Sequence, residues 1–262
     1  ATNPCVTADT WVQTSAGPRQ VSDLIGTPFR ARVDGSDHAT TPAGFFRTAT
    51  KPVFALTTKE GHRLRLTSDH RVRRVTHATR WTTETQGCAA GELAPGDRLL
   101  LNDHRPNPVW NGELTREQGY LLGWLVGDGT LKDEAAVLSV WTGAVAVNGG
   151  TSLIRTGLLA LMLEAEDAAA TLQHRSDFAG FCPIADRNEF RLKSAPLRDL
   201  AFSLGMRPGN KAITPALEPA SSEAYRGFFR GFFDADGSVQ GPQAKGLSIR
   251  LAHSYADRLA AL

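Results

Sequence analysis

Cysteine is scarce in this chain, with three in 262 residues, at positions 5, 88 and 182. That spacing excludes a disulfide framework and offers no paired zinc ligands, and a reducing cytoplasm is the compartment it implies. No apolar run reaches the roughly 18 residues of a membrane span, so no membrane partner is expected. The opening Ala1-Thr2-Asn3-Pro4 lacks the basic-then-apolar pattern of a secretion signal. Charge of one sign is also scarce. A net +2 is too mild to mark a nucleic-acid binder by itself. Basic residues do gather in Arg71-Val72-Arg73-Arg74 and between Arg187 and Lys211, and such clusters are commonly solvated faces.

What is present is 41% hydrophobic residues and 25 glycines, enough for one large or two ordinary domains. Residues 5 to 102 read as β-rich. Short strands are expected at Thr10–Thr14, Pro28–Val33 and Val53–Leu56. The clearest hairpin is Val53–Thr67, turning near Lys59-Glu60-Gly61 and returning through the period-two arm Arg63-Leu64-Arg65-Leu66. A turn at Glu92–Asp97 precedes a strand over Arg98–Leu101. Many short strands punctuated by Gly and Pro indicate an all-β domain over residues 5–105. Residues 106–113, polar and proline-containing, read as a linker. Thr115-Arg116-Glu117-Gln118 then fits a capping box ahead of a helix that stops at Gly. A second helix with the same ending is expected from Ser222 to Asp236, with strands and helices alternating between the two.

These two helices form an internal repeat. Leu121-Leu122-Gly123-Trp124-Leu125-Val126-Gly127-Asp128-Gly129 and Phe229-Arg230-Gly231-Phe232-Phe233-Asp234-Ala235-Asp236-Gly237 carry small residues at the third and seventh positions, and both end Asp-Gly. Residues four apart share a helix face. A Gly/Ala face lets two backbones approach closely, with Trp124, Leu125, Phe232 and Phe233 filling the core beside it. Asp128 and Asp236 then meet at the helix C-termini, where a carboxylate opposes the macrodipole at about 0.3–1 kcal/mol when exposed. A divalent cation such as Mg²⁺ relieves that penalty, because oxygen-only ligation suits it. Activation of water for in-line attack on a phosphodiester follows. One copy alone reads as a core helix that stops at Gly; two copies matched at each of these positions read as a site.

The two stretches resemble the LAGLIDADG motifs of homing endonucleases. The second is close to the family pattern. The first departs from it, with Val126 in place of the motif's first Asp and Gly127 in place of Ala. The resemblance covers residues 114–262. It implies an α/β domain of two αββαββα halves whose paired motif helices form the interface, with the sheets making a saddle over double-stranded DNA. It also implies metal binding by Asp128 and Asp236. Arg207–Pro215 resembles the family's lysine-containing block, which implies that Lys211 organises water near the scissile phosphate.

The front of the chain resembles the first block of inteins and hedgehog-type autoprocessing (Hint) domains, through Cys5-Val6-Thr7-Ala8-Asp9-Thr10, Val12 and Val21-Ser22-Asp23-Leu24. Thr67-Ser68-Asp69-His70 resembles their Thr-x-x-His block. This implies a horseshoe-like all-β splicing domain in which the Cys5 thiol attacks the Pro4 carbonyl. The Pro4–Cys5 amide then becomes a thioester by an N-to-S acyl shift. His70 protonates the leaving nitrogen, and the Thr67 hydroxyl orients the scissile amide. No cofactor is needed for splicing. Taken singly, Cys5 reads as a small buried hydrophobe and His70 as a polar strand-end residue.

Ala1-Thr2-Asn3-Pro4-Cys5 resembles the Thr-Asn-Pro-Cys-Gly stretch of cobalamin-dependent ribonucleotide reductase. Residues 1–4 are therefore expected to be N-extein and ribonucleotide reductase the host. Full inteins close on a terminal His-Asn block that this sequence lacks. A C-terminal intein fragment, as in a split intein, or further chain is thus expected as a partner. The second endonuclease half is expected to be incomplete and to lack strands, with residues 255–262 in a helix. Cys88 and Cys182 read as structural, and the remaining histidines form no close pair. One alternative stays open, a splicing element whose endonuclease only binds DNA; a hedgehog-type autoprocessing domain predicts no repeat, and the repeat speaks against it.

Overall fold

A computed structural model describes residues 4–142, 156–241 and 246–251, and the chain divides into two units, Ala1–Trp110 and Asn111–Leu262.

Unit 1 is built from small antiparallel sheets. Strands β1 (Trp11–Thr14), β2 (Gly17–Gln20), β3 (Arg30–Val33) and β4 (Ser36–Ala39) pair in the order β2-β1-β3-β4. The β3–β4 hairpin turns through Asp34 and Gly35 with φ of 49° and 80°. Positive φ at both central residues suits the right-handed twist of the arms, and Asp-Gly tolerates it. Arg32 is buried, with its guanidinium bonded to Asp37 at 2.8 Å and to the Pro108 carbonyl at 3.2 Å. The arginine beside it holds the Asp37 carboxyl below its ordinary range. The expected Val53–Thr67 hairpin forms as β5 (Phe54–Thr57) and β6 (Arg63–Leu66), closed by Thr58 and His62. A third sheet, ordered β8-β7-β9, contains β7 (Arg71–Ala78), β8 (Thr83–Ala89) and β9 (Arg98–Leu99). The last strand is shorter than the Arg98–Leu101 segment read from sequence.

The stretch read as a linker is packed at both ends. A Cβ on Gly17 would strike the Trp110 indole, and one on Gly35 would strike Pro106, within unit 1; one on Gly112 would lie 2.3 Å from the Ser221 nitrogen, within unit 2.

Unit 2 opens with the helix that the capping box announced. Thr115 Oγ1 accepts from the Gln118 backbone N–H, and Gln118 Oε1 accepts from that of Thr115. The order is α1 (Arg116–Asp128), β10 (Thr130–Leu131), β11 (Ala136–Trp141), α2 (Thr156–Ala170), β12 (Phe181–Pro183), β13 (Glu189–Ser194) and α3 (Ala195–Ser203). That is αββαββα. The strands make one antiparallel sheet, β10-β11-β13-β12. Its inner residues, Leu138, Val140 and Leu192, join Leu121, Leu122, Trp124 and Leu125 of α1 in the core.

Next come α4 (Ser222–Asp236), β14 (Ser238–Gln240) and β15 (Ser248–Arg250). The expectation that the second half lacks strands is therefore overturned, because β14 and β15 pair as a hairpin right after the second motif. The alternation in Ser238-Val239-Gln240 is too short to stand out in sequence. The helix expected over residues 255–262 lies outside the described residues. Phe233, expected in the core, is 38% exposed, whereas Phe232 is fully buried. Cys88 is buried as a structural residue would be, but Cys182 is exposed on β12.

Candidate active sites

In unit 2 the site is set by how closely two helices approach. A Cβ on Gly123 would lie 1.9 Å from the Phe228 carbonyl oxygen, and one on Gly231 would lie 2.0 Å from that of Tyr120. Gly119 meets Ala224, and Gly127 meets Ala235. The partner number rises along both chains, so α1 and α4 run parallel. Asp128 and Asp236 consequently end at the same edge of the pair. The two glycines that stop the helices, Gly129 and Gly237, have extended φ of −81° and −76°. Close approach is what they permit: a Cβ at Gly237 would sit 2.4 Å from the Phe233 carbonyl oxygen.

Both aspartates are exposed. The Asp128 carboxyl is pushed above its usual 3.8, chiefly by partial burial; the Lys211 ammonium pulls it down and the Asp236 charge adds to the rise. Lys211 belongs to the same cluster. Its Nζ donates to the carbonyls of Leu125, Gly127 and Gly129 at 3.0, 3.1 and 2.6 Å. Three bonds use all three ammonium hydrogens, and they place a cation at the negative end of α1, where the Leu125 carbonyl also accepts from the Gly129 N–H. Burial lowers the Lys211 pKa, while Asp128 and Asp236 oppose that shift. The structure thus brings Asp128, Asp236 and Lys211 together, with the lysine bonded to backbone.

No group of three or more His, Cys, Asp or Glu that could hold a metal occurs among the described residues. Two solvent-facing carboxylates with a repulsion to relieve still fit a hard divalent cation, since Mg²⁺ keeps several waters and takes one or two carboxylates. Sequence reasoning missed the bond from Tyr120 Oη to Asp234 Oδ2, 3.1 Å long, which crosses between the helices. Burial and that carboxylate push the Tyr120 pKa up. The helical spacing marked both helices, but nothing in it paired these two side chains.

Residues 223–260 match the LAGLIDADG-like domain family. The match covers α4 with Asp236 and the β14–β15 hairpin, and it supports a homing-endonuclease element that acts on DNA. No curated protein matches the chain. No helix among the described residues is long and apolar enough to cross a membrane.

In unit 1, Cys5 runs antiparallel to the end of β6. The Cys5 N–H donates to Thr67 Oγ1 at 3.0 Å, and the Thr67 N–H donates to the Cys5 carbonyl at 3.0 Å. Val6 bridges Leu66, and the Thr7 N–H reaches the Arg65 carbonyl. Thr67 is buried. The next turn carries His70, whose N–H donates to the Thr67 carbonyl at 3.1 Å and whose own carbonyl accepts from Ala90 at 2.8 Å. His70 Nδ1 is buried and has no hydrogen-bond partner among the described residues. Cys5 Sγ lies 3.3 Å from Thr48 Oγ1, a residue with no sequence signal. Pro4, ahead of Cys5, is exposed. Thr67 is therefore bonded directly to the Cys5 amide, and His70 is anchored to Thr67 through the backbone.

Proposed function

We propose that unit 1 is the N-terminal part of a self-splicing domain and that unit 2 is a LAGLIDADG homing endonuclease carried by it. The splicing half rests on one observation, the hydrogen bond from the Cys5 amide nitrogen to Thr67 Oγ1. That nitrogen is the leaving group when the Pro4–Cys5 bond breaks. A hydroxyl accepting its hydrogen fixes the orientation of the amide for attack. Cys5 Sγ attacks the Pro4 carbonyl carbon. A carbon–sulfur bond forms, the carbon–nitrogen bond breaks, and the thiol proton passes to solvent. The departing nitrogen takes a proton from the His70 imidazolium, consistent with a ring nitrogen that no other described group engages. Residues 1–4 then sit on sulfur as a thioester. Their likeness to ribonucleotide reductase supports that enzyme as host, with a C-terminal intein segment completing the splice. Intact-mass measurement after thiol treatment tests this half.

In the endonuclease half, Asp128 and Asp236 would hold a divalent cation at the shared helix edge. When bound, the cation supplies a Lewis acid and a water of lowered pKa for phosphodiester hydrolysis. The carboxylates would place it, and Lys211 fixes the α1 end that carries Asp128. Lys193 of β13 alternates with inward Leu192 and stands exposed on the sheet face turned from the core, where it meets the phosphate backbone, while Arg191 on that face is held by the Glu189 carboxylate. Incubation of the uninterrupted host gene with Mg²⁺ tests cleavage, with Asp128→Asn and Asp236→Asn as controls. Binding without cutting by the parent chain would leave a DNA-binding element with a silent nuclease centre.

A further inference from the structure

The basic cluster at residues 71–74 has no part in either site. Register resolves it into two faces of the β8-β7-β9 sheet. Arg74 pairs across to Leu99 and Gln86, and Val72 pairs to Cys88. This is the inner face, where Cys88 is buried and Arg74 lies 3.7 Å from Asp97. On the other face stand Arg71, Arg73 and, opposite Val75, Arg98, all exposed. Their β8 neighbours on that face are Ala89, Gly87 and Thr85, so no strand residue there is acidic. Glu84 falls on the inner side, opposite His77, after the bulge between Val75 and His77. Arg71 lies flat across Gly87 and donates to its carbonyl at 2.8 Å. None of the three arginines forms an ion pair among the described residues. Past Val75 the third strand ends and β7–β8 continues as a two-stranded ribbon. At its tip Trp81 is 82% exposed, with the Arg80 guanidinium 4.8 Å over its ring.

We propose that this arginine face is a second DNA-binding surface, one that takes the sugar-phosphate backbone of a duplex. Three unneutralised guanidiniums on a flat face with small neighbours suit phosphates, which arginine meets bidentately. A two-stranded ribbon is narrow enough to enter a major groove. Phosphate contacts position a protein without reading sequence, so this surface adds affinity and leaves target choice to unit 2. The proposal rests on the reading of DNA as the partner and is independent of cleavage.

The test is fluorescence anisotropy of the full chain with a labelled duplex of arbitrary sequence, in EDTA, across a salt series. Replacing Arg71, Arg73 and Arg98 by Gln should make the salt slope shallower by about 2.7, at about 0.9 for each phosphate no longer neutralised. Replacing all three by Lys should keep most of the slope, and matched thermal unfolding checks that the variants fold. An unchanged slope in the Gln variant overturns the proposal. It is also overturned, in favour of an acidic protein partner, if poly-glutamate binding alone disappears. Absence of Mg²⁺-dependent cutting, with the slope change intact, would remove the nuclease reading and leave this one standing.

Discussion

The Tyr120 hydroxyl donates across the helix pair to the Asp234 carboxylate, 3.1 Å away. Asp234 is the motif acid whose counterpart in the first copy is Val126. The residue at the same offset from Tyr120 is Phe228, which has no hydroxyl. The repeat therefore changes as a matched pair, with Tyr and Asp together in one place and Phe and Val in the other. Val126 is fully buried, and an acid there would lack the donor that Asp234 has. Tyr120→Phe should cost about 1.5–3 kcal/mol in urea unfolding, the range for a hydrogen bond to a charged group. Val126→Asp should cost more, because it buries an uncompensated charge.

Glycine at 123 is required by distance. Alanine raises helix propensity by about 1 kcal/mol, but its Cβ would meet the Phe228 carbonyl oxygen at 1.9 Å. Backbone cannot yield as a side-chain tip can. Gly123→Ala should therefore destabilise unit 2 by about 1–3 kcal/mol net, as overpacking does, and Gly231→Ala should match it. Chemical unfolding of both variants checks this; a gain in stability would show that the helices can part.

The fold holds the Asp128 carboxyl above its unfolded pKa, so its ionised form weakens the structure. The stability it contributes is present below the ordinary 3.8 and is lost as pH rises through the folded value. In metal-free buffer at neutral pH, Asp128→Asn should raise the Tm. That advantage should shrink as pH falls toward 3.8, and added Mg²⁺ should stabilise the parent but not the variant. Scanning calorimetry across pH, with and without Mg²⁺, reads both effects.

Lys211 supports Asp128 from behind. Lys211→Met removes three hydrogen bonds to α1 carbonyls and should cost at least about 1.5–3 kcal/mol. It also removes the cation that draws the Asp128 pKa down, so that pKa should rise further. Carboxylate titration by NMR checks the second effect, which a purely packing role for Lys211 would not produce.

Much of this architecture is legible in the residues. Thr115 and Gln118 mark the start of α1, and the Gly/Ala positions mark the face that meets α4. Both are local or periodic signals, and periodicity survives translation into structure. The β5–β6 hairpin is legible for the same reason. The Asp34-Gly35 turn carries an equally plain signal, though sequence reasoning passed over it. The β14–β15 strands escape notice because three-residue arms carry almost no period. Thr48 beside Cys5, and the bond between Tyr120 and Asp234, join residues distant in sequence, and no spacing rule encodes such pairs. Phe233 departs from the expected core because the buried stripe of α4 passes through Phe228 and Phe232, one residue away on the wheel.

The central claim is that the protein breaks the peptide bond ahead of its own Cys5. Intact-mass spectrometry after dithiothreitol treatment of a chain with a longer N-terminal extension tests it directly. The extension ending at Pro4 should appear as a separate species from the parent, much more slowly from His70→Ala and Thr67→Val, and not at all from Cys5→Ala. Release that persists in Cys5→Ala, or a parent whose mass never changes, would contradict the account.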